Sequence, residues 1–308
     1  MLVVRPPESP GVEGMVDLHF HASEGYQNAL LETAQFASRS GMRALLVKSY
    51  RQLKDPMTGQ SVARVAEELA EWADREGVAP VVLRAGYIVW HNPKGPHFDI
   101  LRQNLEDGVA AVWFPVANAL RSWTIVGPQP DSEPLSRDAA IAKGAVSVID
   151  DSGALRAEFK TYVDMIAEYD RLLCFGHRSH EELWAVARYA TERGVRRMMV
   201  DHPFSPFIDL SLGQMRELAG YGVKFNFTYN EVSPFGGVDP QDVYNAIKEI
   251  GPEHFTISSD AGDAIFPNSV ECMRLMRVML QVYGLDSESL ELVSSRNAAF
   301  LLGLTEAP

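Results

Sequence analysis

Residues Met15–His21 read Met-Val-Asp-Leu-His-Phe-His. An apolar, β-prone run that closes on two histidines predicts a buried strand ending in polar chemistry. Side chains alternate along a strand, so His19 and His21, two residues apart, share a face and can grip one ion; sequence neighbours could not. Outward from this stretch the pattern recurs. Apolar or β-branched runs near Ala44–Tyr50, Ala79–Trp90, Ala110–Val116, Arg171–His177, Arg197–His202, Val223–Asn230 and Phe255–Asp260 follow one another at a spacing of roughly 35 residues. Helical patterns such as Ala29–Ser40, Ser61–Arg75, Glu181–Arg193 and Val270–Tyr283 lie between them, several ending in the Gly-Val or Gly-Met that leads into the next strand. Eight such units predict an α/β fold, a (β/α)8 TIM barrel, with residues 1–308 as a single domain.

One stretch breaks the rhythm. Ala117–Gly144 carries Gly, Pro and Ser punctuation (VGPQPDSEPLS), and the SVIDDSGALRAE that follows reads as a small hairpin around Asp151-Ser152-Gly153. This predicts an insertion after strand 4, residues 117–156, either a surface decoration or a lid, because loops after barrel strands face the active site.

The 308 residues suffice to bury a large core, and 46% hydrophobic with 22% charged residues is ordinary for a globular chain. Forty-one acidic against 28 basic side chains leave a formal charge of −13, which repels a phosphate backbone and argues against nucleic acid as a partner. Cys174 and Cys272 sit in apolar runs and read as buried thiols, which fits a reducing cytoplasm. No apolar run approaches the roughly 18 to 20 residues of a membrane helix, and the first residues lack the pattern of a signal peptide. The expectation is a cytoplasmic protein with no membrane span.

His19, His21, His177, His202 and Asp260 fall at the C-terminal ends of the first, fifth, sixth and eighth predicted strands, the end of a barrel where catalysis sits. Any one of them alone would read as a structural residue. Five N/O donors gathered at four strand ends are costly unless compensated, and they predict a metal site. Lys48, closing the second strand in LLVKSYRQ, either snorkels out at the strand end, or is carbamylated, supplying a bridging carboxylate, or is an ammonium that orients an anionic substrate group. Tyr50, on the same face, places a phenol beside the metals. Asn230, at the seventh strand end, is predicted to bond substrate or a ligand, while Glu231 points the other way in a regular strand. His91 and His97 follow the third strand and are at most substrate contacts; His180 and His254, at element starts, read as capping or surface groups. Imidazole and carboxylate without thiolate suit Zn, Fe, Mn or Ni, with iron and zinc leading. The donor count exceeds what a single tetrahedral ion needs and favours two ions.

DLHFH, the histidines of CFGHRSH and MVDHPF, the SSDAG segment and the closing SSRNAAFLLGL resemble the amidohydrolase superfamily of metal-dependent barrels over nearly the whole chain. The resemblance implies that His19 and His21 bind one ion, that His177 and His202 bind a second, and that Asp260 is a ligand or proton shuttle. Typical binuclear members carry a bridging carbamylated lysine on the fourth strand, whereas here that strand ends VWFPVAN. A divergent branch closes its second strand with Leu-Lys-Asn-His; here the segment is VKSY, with Tyr50 in place of the histidine. The chain also resembles the TIM-barrel nonheme diiron monooxygenases of platensimycin and platencin biosynthesis. That likeness implies two iron ions (Zn or Mn as alternatives), O2, an external electron donor and a hydrophobic diterpenoid substrate carried as a CoA thioester.

Bulky apolar groups in the loops, Trp90, Trp113, Phe114, Trp123, Phe204, Phe207, Phe235 and Phe266, either wall a pocket for a large hydrophobic substrate, Trp113 among the substrate contacts, or pack helices onto the barrel. Arg51, Lys54, Lys94 and Arg121 either hold the phosphates of a carrier such as CoA or are solvated surface charges. No flavin or nicotinamide fingerprint is present, so a reductant has to come from outside. Two activities therefore stand as expectations: a binuclear iron monooxygenase hydroxylating a C–H bond, or a binuclear metal-dependent hydrolase of an ester, thioester or amide. A non-catalytic metal-binding barrel is the weakest, since such a donor set is costly to keep unused.

Overall fold

The computed structural model describes residues 11–22, 29–48, 58–89, 96–129, 132–262 and 265–306. Tyr50, Trp90, His91, Arg51, Lys54 and Lys94 lie outside the described residues. Eight strands form one sheet in chain order: β1 (Val16–Phe20), β2 (Ala44–Lys48), β3 (Val82–Ile88), β4 (Ala111–Trp113), β5 (Leu172–Cys174), β6 (Met198–Asp201), β7 (Val223–Thr228) and β8 (Phe255–Ser258). Helices fill the connections, and the fold is the (β/α)8 TIM barrel that the repeating pattern predicts. Pairing is parallel, as in Ala44↔Val82 through Lys48↔Gly86 of β2 and β3 and Ala111↔Leu172 through Trp113↔Cys174 of β4 and β5.

Two compact units make up the chain, one of Met1–Gly86 with Asn226–Pro308, the other of Tyr87–Phe225. In the first, β1 and β2 are buried at every position, as near-continuous apolar strands under helices must be. The end of β1 is laced to the segment after β8: the Asp260 and His21 N–H groups donate to the His19 and Ala261 carbonyls, at 2.7 and 2.8 Å. Gly262 is needed here, because a Cβ at its φ of 154° would stand 2.4 Å from the His21 Cβ.

In the second unit, β4 and β5 are shorter than the sequence suggests. Pro115, which has no N–H to donate, and Gly176, at φ 69°, end the ladder before the expected Val116 and His177. A Cβ on Gly176 would sit 2.6 Å from the Phe114 carbonyl oxygen, so only glycine lets these segments approach. The irregular stretch expected over Ala117–Gly144 contains helices Leu120–Ile125 and Arg137–Ala142, the second capped by Ser136. Beyond it, Ile149 bridges Leu155 antiparallel around the Asp150–Ala154 turn, a hairpin of the kind the Asp-Ser-Gly signal predicts. Cys174 and Cys272 are both buried free thiols. Among the described residues, no helix is long and apolar enough to cross a membrane.

Candidate metal centre

The first unit brings His19, His21 and Asp260 together. His19 lies within β1, His21 one residue past it, and Asp260 two residues past β8. Their donor atoms form a nearly equilateral triangle: His19 Nε2 to His21 Nε2 is 3.2 Å, and each nitrogen lies 3.1 Å from Asp260 Oδ1. With metal bonds of about 2.1 Å, donors stand about 3.0 Å apart at right angles and about 3.4 Å apart at tetrahedral angles. The observed edges fall between those limits, so the trio fits one face of a divalent ion's coordination shell.

Protons alone satisfy this cluster poorly. Lys48 Nζ, only 3% exposed, stands 3.0 Å from His19 Nε2 and has hydrogens only to give, which turns the His19 lone pair toward it. The same nitrogen then faces the Asp260 carboxylate, lone pair against lone pair, and a cation among the three donors relieves that conflict. Burial, the largest influence, lowers His21 to about 4, against the opposing hydrogen bond to Asp260, so its imidazole is neutral at pH 7 as a metal ligand must be.

Asp260 is held by more than its neighbours in the trio. Asn230 Nδ2 donates to Oδ2 at 3.1 Å, leaving Oδ1 turned toward both histidines. Asn230 is on a short helix, Tyr229–Val232, rather than at the end of a regular strand, so strand alternation does not decide where Glu231 turns. Glu231 is buried and closes a capping box with Thr228. Asp260 itself sits at φ 49°, a strained conformation for a residue with a side chain, and His202 at φ 37° shares the feature.

The second unit pairs His177 and His202, with ring centroids 5.1 Å apart, while Phe207 stacks on His177 at 4.3 Å and 12°. The tautomer of His177 follows from its partner. Ser122 Oγ has one proton, and the Val116 carbonyl, 2.8 Å away, can only accept it; His177 Nδ1, 2.7 Å away, must therefore donate. Nε2 then carries the lone pair, the form in which histidine binds metal. His202 Nδ1 is engaged by Ser205 Oγ at 2.9 Å.

Several expected site residues take other positions. Trp113 and Phe114 are fully buried, and Trp113 Nε1 donates to Asp201 at 2.7 Å, so the Trp113 ring is enclosed in protein rather than offered to a substrate. Arg121 donates to the Pro206 carbonyl at 2.8 Å. His180 and His254, which the sequence places outside the site, lie at element starts: His180 opens a helix and reaches the Ile208 and Asp209 carbonyls, and His254 faces Glu253 at 3.6 Å. The His97 N–H donates to Tyr162 Oη. By contrast, Phe235 and Ile265 are 66% and 59% exposed on the loops after β7 and β8, and Phe266 packs edge-on against Phe235.

Two residues went unnoticed in the sequence. Asp17, two before His19 in β1, is buried, which pushes its carboxyl up against four hydrogen bonds that pull it down. Arg178, also fully buried, gives its guanidinium hydrogens to the carbonyls of Phe175, His177 and Pro115, at 3.1, 2.9 and 2.7 Å. Burial lowers it to about 10, so it stays charged at pH 7.

Fold and donor trio together define a (β/α)8 barrel with a candidate metal centre at its strand ends. The chain belongs to a family of unknown function, DUF6282, whose model matches residues 14–226. No curated protein sequence matches it. Among solved structures it is similar to an amidohydrolase from Pseudomonas aeruginosa, at 11% identity over 94% of this chain and 95% of that one, with TM-score 0.60. It is also similar to the probable dipeptidase PvdM of the same organism, at 12% identity over 94% of each chain and TM-score 0.60. A metallo peptidase from Rhodobacter sphaeroides matches at 12% identity over 94% and 99% of the two chains, with TM-score 0.58. At such identities the likeness is one of fold alone.

Proposed function

We propose that this protein is a metal-dependent hydrolase of the amidohydrolase type, cleaving an ester, thioester or amide. The observation that carries the reading is the triangle of His19 Nε2, His21 Nε2 and Asp260 Oδ1, at 3.1 to 3.2 Å on each edge. Those residues would hold a divalent ion, zinc or manganese for hydrolysis among the metals this ligand type suits, and His177 and His202 would hold a second. Bound there, such an ion lowers the pKa of water and polarises a carbonyl.

The chain supplies the rest. Asp260, oriented by Asn230, takes up the proton released as water adds to the carbonyl and returns it to the leaving group. Lys48, buried beside His19, offers its ammonium to an anionic oxygen of the substrate. Phe235 and Ile265, exposed on the loops after β7 and β8, favour a substrate with an apolar portion.

The test is metal analysis of protein purified without added metal, followed by single-turnover assays of ester, thioester and amide panels in air and under argon. Stoichiometric zinc or manganese, with hydrolysis equal in both atmospheres, is expected. Stoichiometric iron with product formed only under O2, in the presence of an electron donor, would replace this reading with a diiron monooxygenase. A mass increase of one CO2 on Lys48 would assign it the bridging carbamate in place of the ammonium role.

A further inference from the structure

We propose that Asp17 is a positioning residue that sets the distance between the two arms of the metal centre, an inference that rests on His19, His21 and Asp260 being ligands. Asp17 is wholly buried in the first unit and accepts from four donors, one in its own strand and three in the segments at Ser259 and Ser269. Its Oδ1 takes the N–H groups of His19 and Ser259, at 3.0 and 3.1 Å. Its Oδ2 takes the hydroxyls of Ser259 and Ser269, at 2.5 and 2.6 Å. Four donors fill the lone-pair positions of a carboxylate. The Ser259 hydroxyl, which also lies 3.1 Å from the His19 carbonyl, in turn accepts from the Ala261 N–H at 3.1 Å.

The arrangement matters because of what each partner adjoins. The His19 N–H belongs to a ligand; Ser259 immediately precedes the ligand Asp260; Ser269 is the first residue of helix Ser269–Val282, which follows the loop after β8. One carboxylate thus ties the backbone of β1 to the backbone that presents Asp260. The Asp260 N–H to His19 carbonyl bond, at 2.7 Å, continues the same seam. Asp260 is at φ 49°, and a strained residue keeps its conformation only where its surroundings over-determine it. The neighbouring Ser259, fixed at both its N–H and its hydroxyl by Asp17, provides that constraint. Loss of Asp17 should therefore loosen the 3.1 Å spacing of His19 Nε2 and Asp260 Oδ1 without removing any donor atom from the centre.

The experiment compares zinc binding, by competition with a chromogenic chelator, in wild type, Asp17→Asn and Ser269→Ala, with melting of each in the metal-stripped and zinc-loaded states. Asp17→Asn keeps the shape, and its zinc affinity should fall roughly 10- to 100-fold, the range for residues that orient metal ligands. Ser269→Ala removes one of the four bonds and should lose less. In both, the rise in melting temperature on adding zinc should shrink relative to wild type. If Asp17→Asn does not fold, Ser269→Ala decides. Wild-type zinc affinity in a folded variant, with its melting temperature lowered equally in the stripped and loaded states, would make Asp17 a core residue only and overturn the proposal. Absence of zinc binding in the wild type would instead overturn the metal centre itself, and this inference with it.

Discussion

His21 shows what a buried donor costs and what it offers. In the unfolded chain a histidine titrates near 6.5, whereas in the folded protein burial, ahead of the other influences, holds His21 to about 4. Between those values the unfolded state binds the extra proton, so stability contributed by neutral His21 is present above pH 6.5 and is lost as pH falls toward 4. The full difference is worth about 3 kcal/mol. Urea unfolding of metal-stripped protein at pH 7 and pH 4.5 should therefore show a larger loss in wild type than in His21→Gln, and equal losses in the two would refute the assignment. The same economy appears at His177, where the Ser122 hydroxyl, committed to the Val116 carbonyl, selects the tautomer. Single atoms with one possible role decide the chemistry of their neighbours.

At the scale of elements, the loops after the strands are fixed by buried polar groups rather than by regular pairing. Arg178 binds carbonyls from the segments after β4 and β5, where Pro115 and Gly176 have ended the ladder and left acceptors in a dry interior. The planar guanidinium meets three acceptors at once, and an ammonium on a flexible stem does not. Arg178→Lys should lower stability by about 2 kcal/mol, read as a fall in the urea midpoint at constant m value, because at least one carbonyl loses its donor. A change below about 0.5 kcal/mol would show that the loop keeps its shape without the guanidinium. The adjoining helix, expected over Glu181–Arg193, runs over His180–Glu192, and a capping box of Ser179 with Glu182 sets where it begins. Arg178 was not legible, since its partner Pro115 lies 63 residues away and nothing local marks a buried cation.

For the whole molecule, the barrel could be read because its signals are local. Apolar runs, helical periodicity and glycine stops recur unit by unit, and His-x-His on a strand declares a shared face whatever surrounds it. Contacts across the chain are what sequence hides. Asp17 meets Ser259 at a separation of 242 residues, and Trp113 turned from a substrate wall into a buried donor to Asp201, 88 residues on. The metal trio spans similar distances: His19 comes from β1 and His21 from one residue past it, Asp260 from beyond β8, so an ion held by all three cross-links segments that only the folded chain brings together. Such an ion binds the native state and not the unfolded one, and at a free concentration a hundredfold above its dissociation constant it adds about 2.7 kcal/mol. Chelator-stripped protein should melt roughly 5 °C or more below zinc-loaded protein, and adding zinc back should restore the difference. His21→Ala and Asp260→Ala should fold without metal yet show no rise in melting temperature with zinc. Equal melting of stripped and zinc-loaded wild type would leave the donor triangle without an ion to hold.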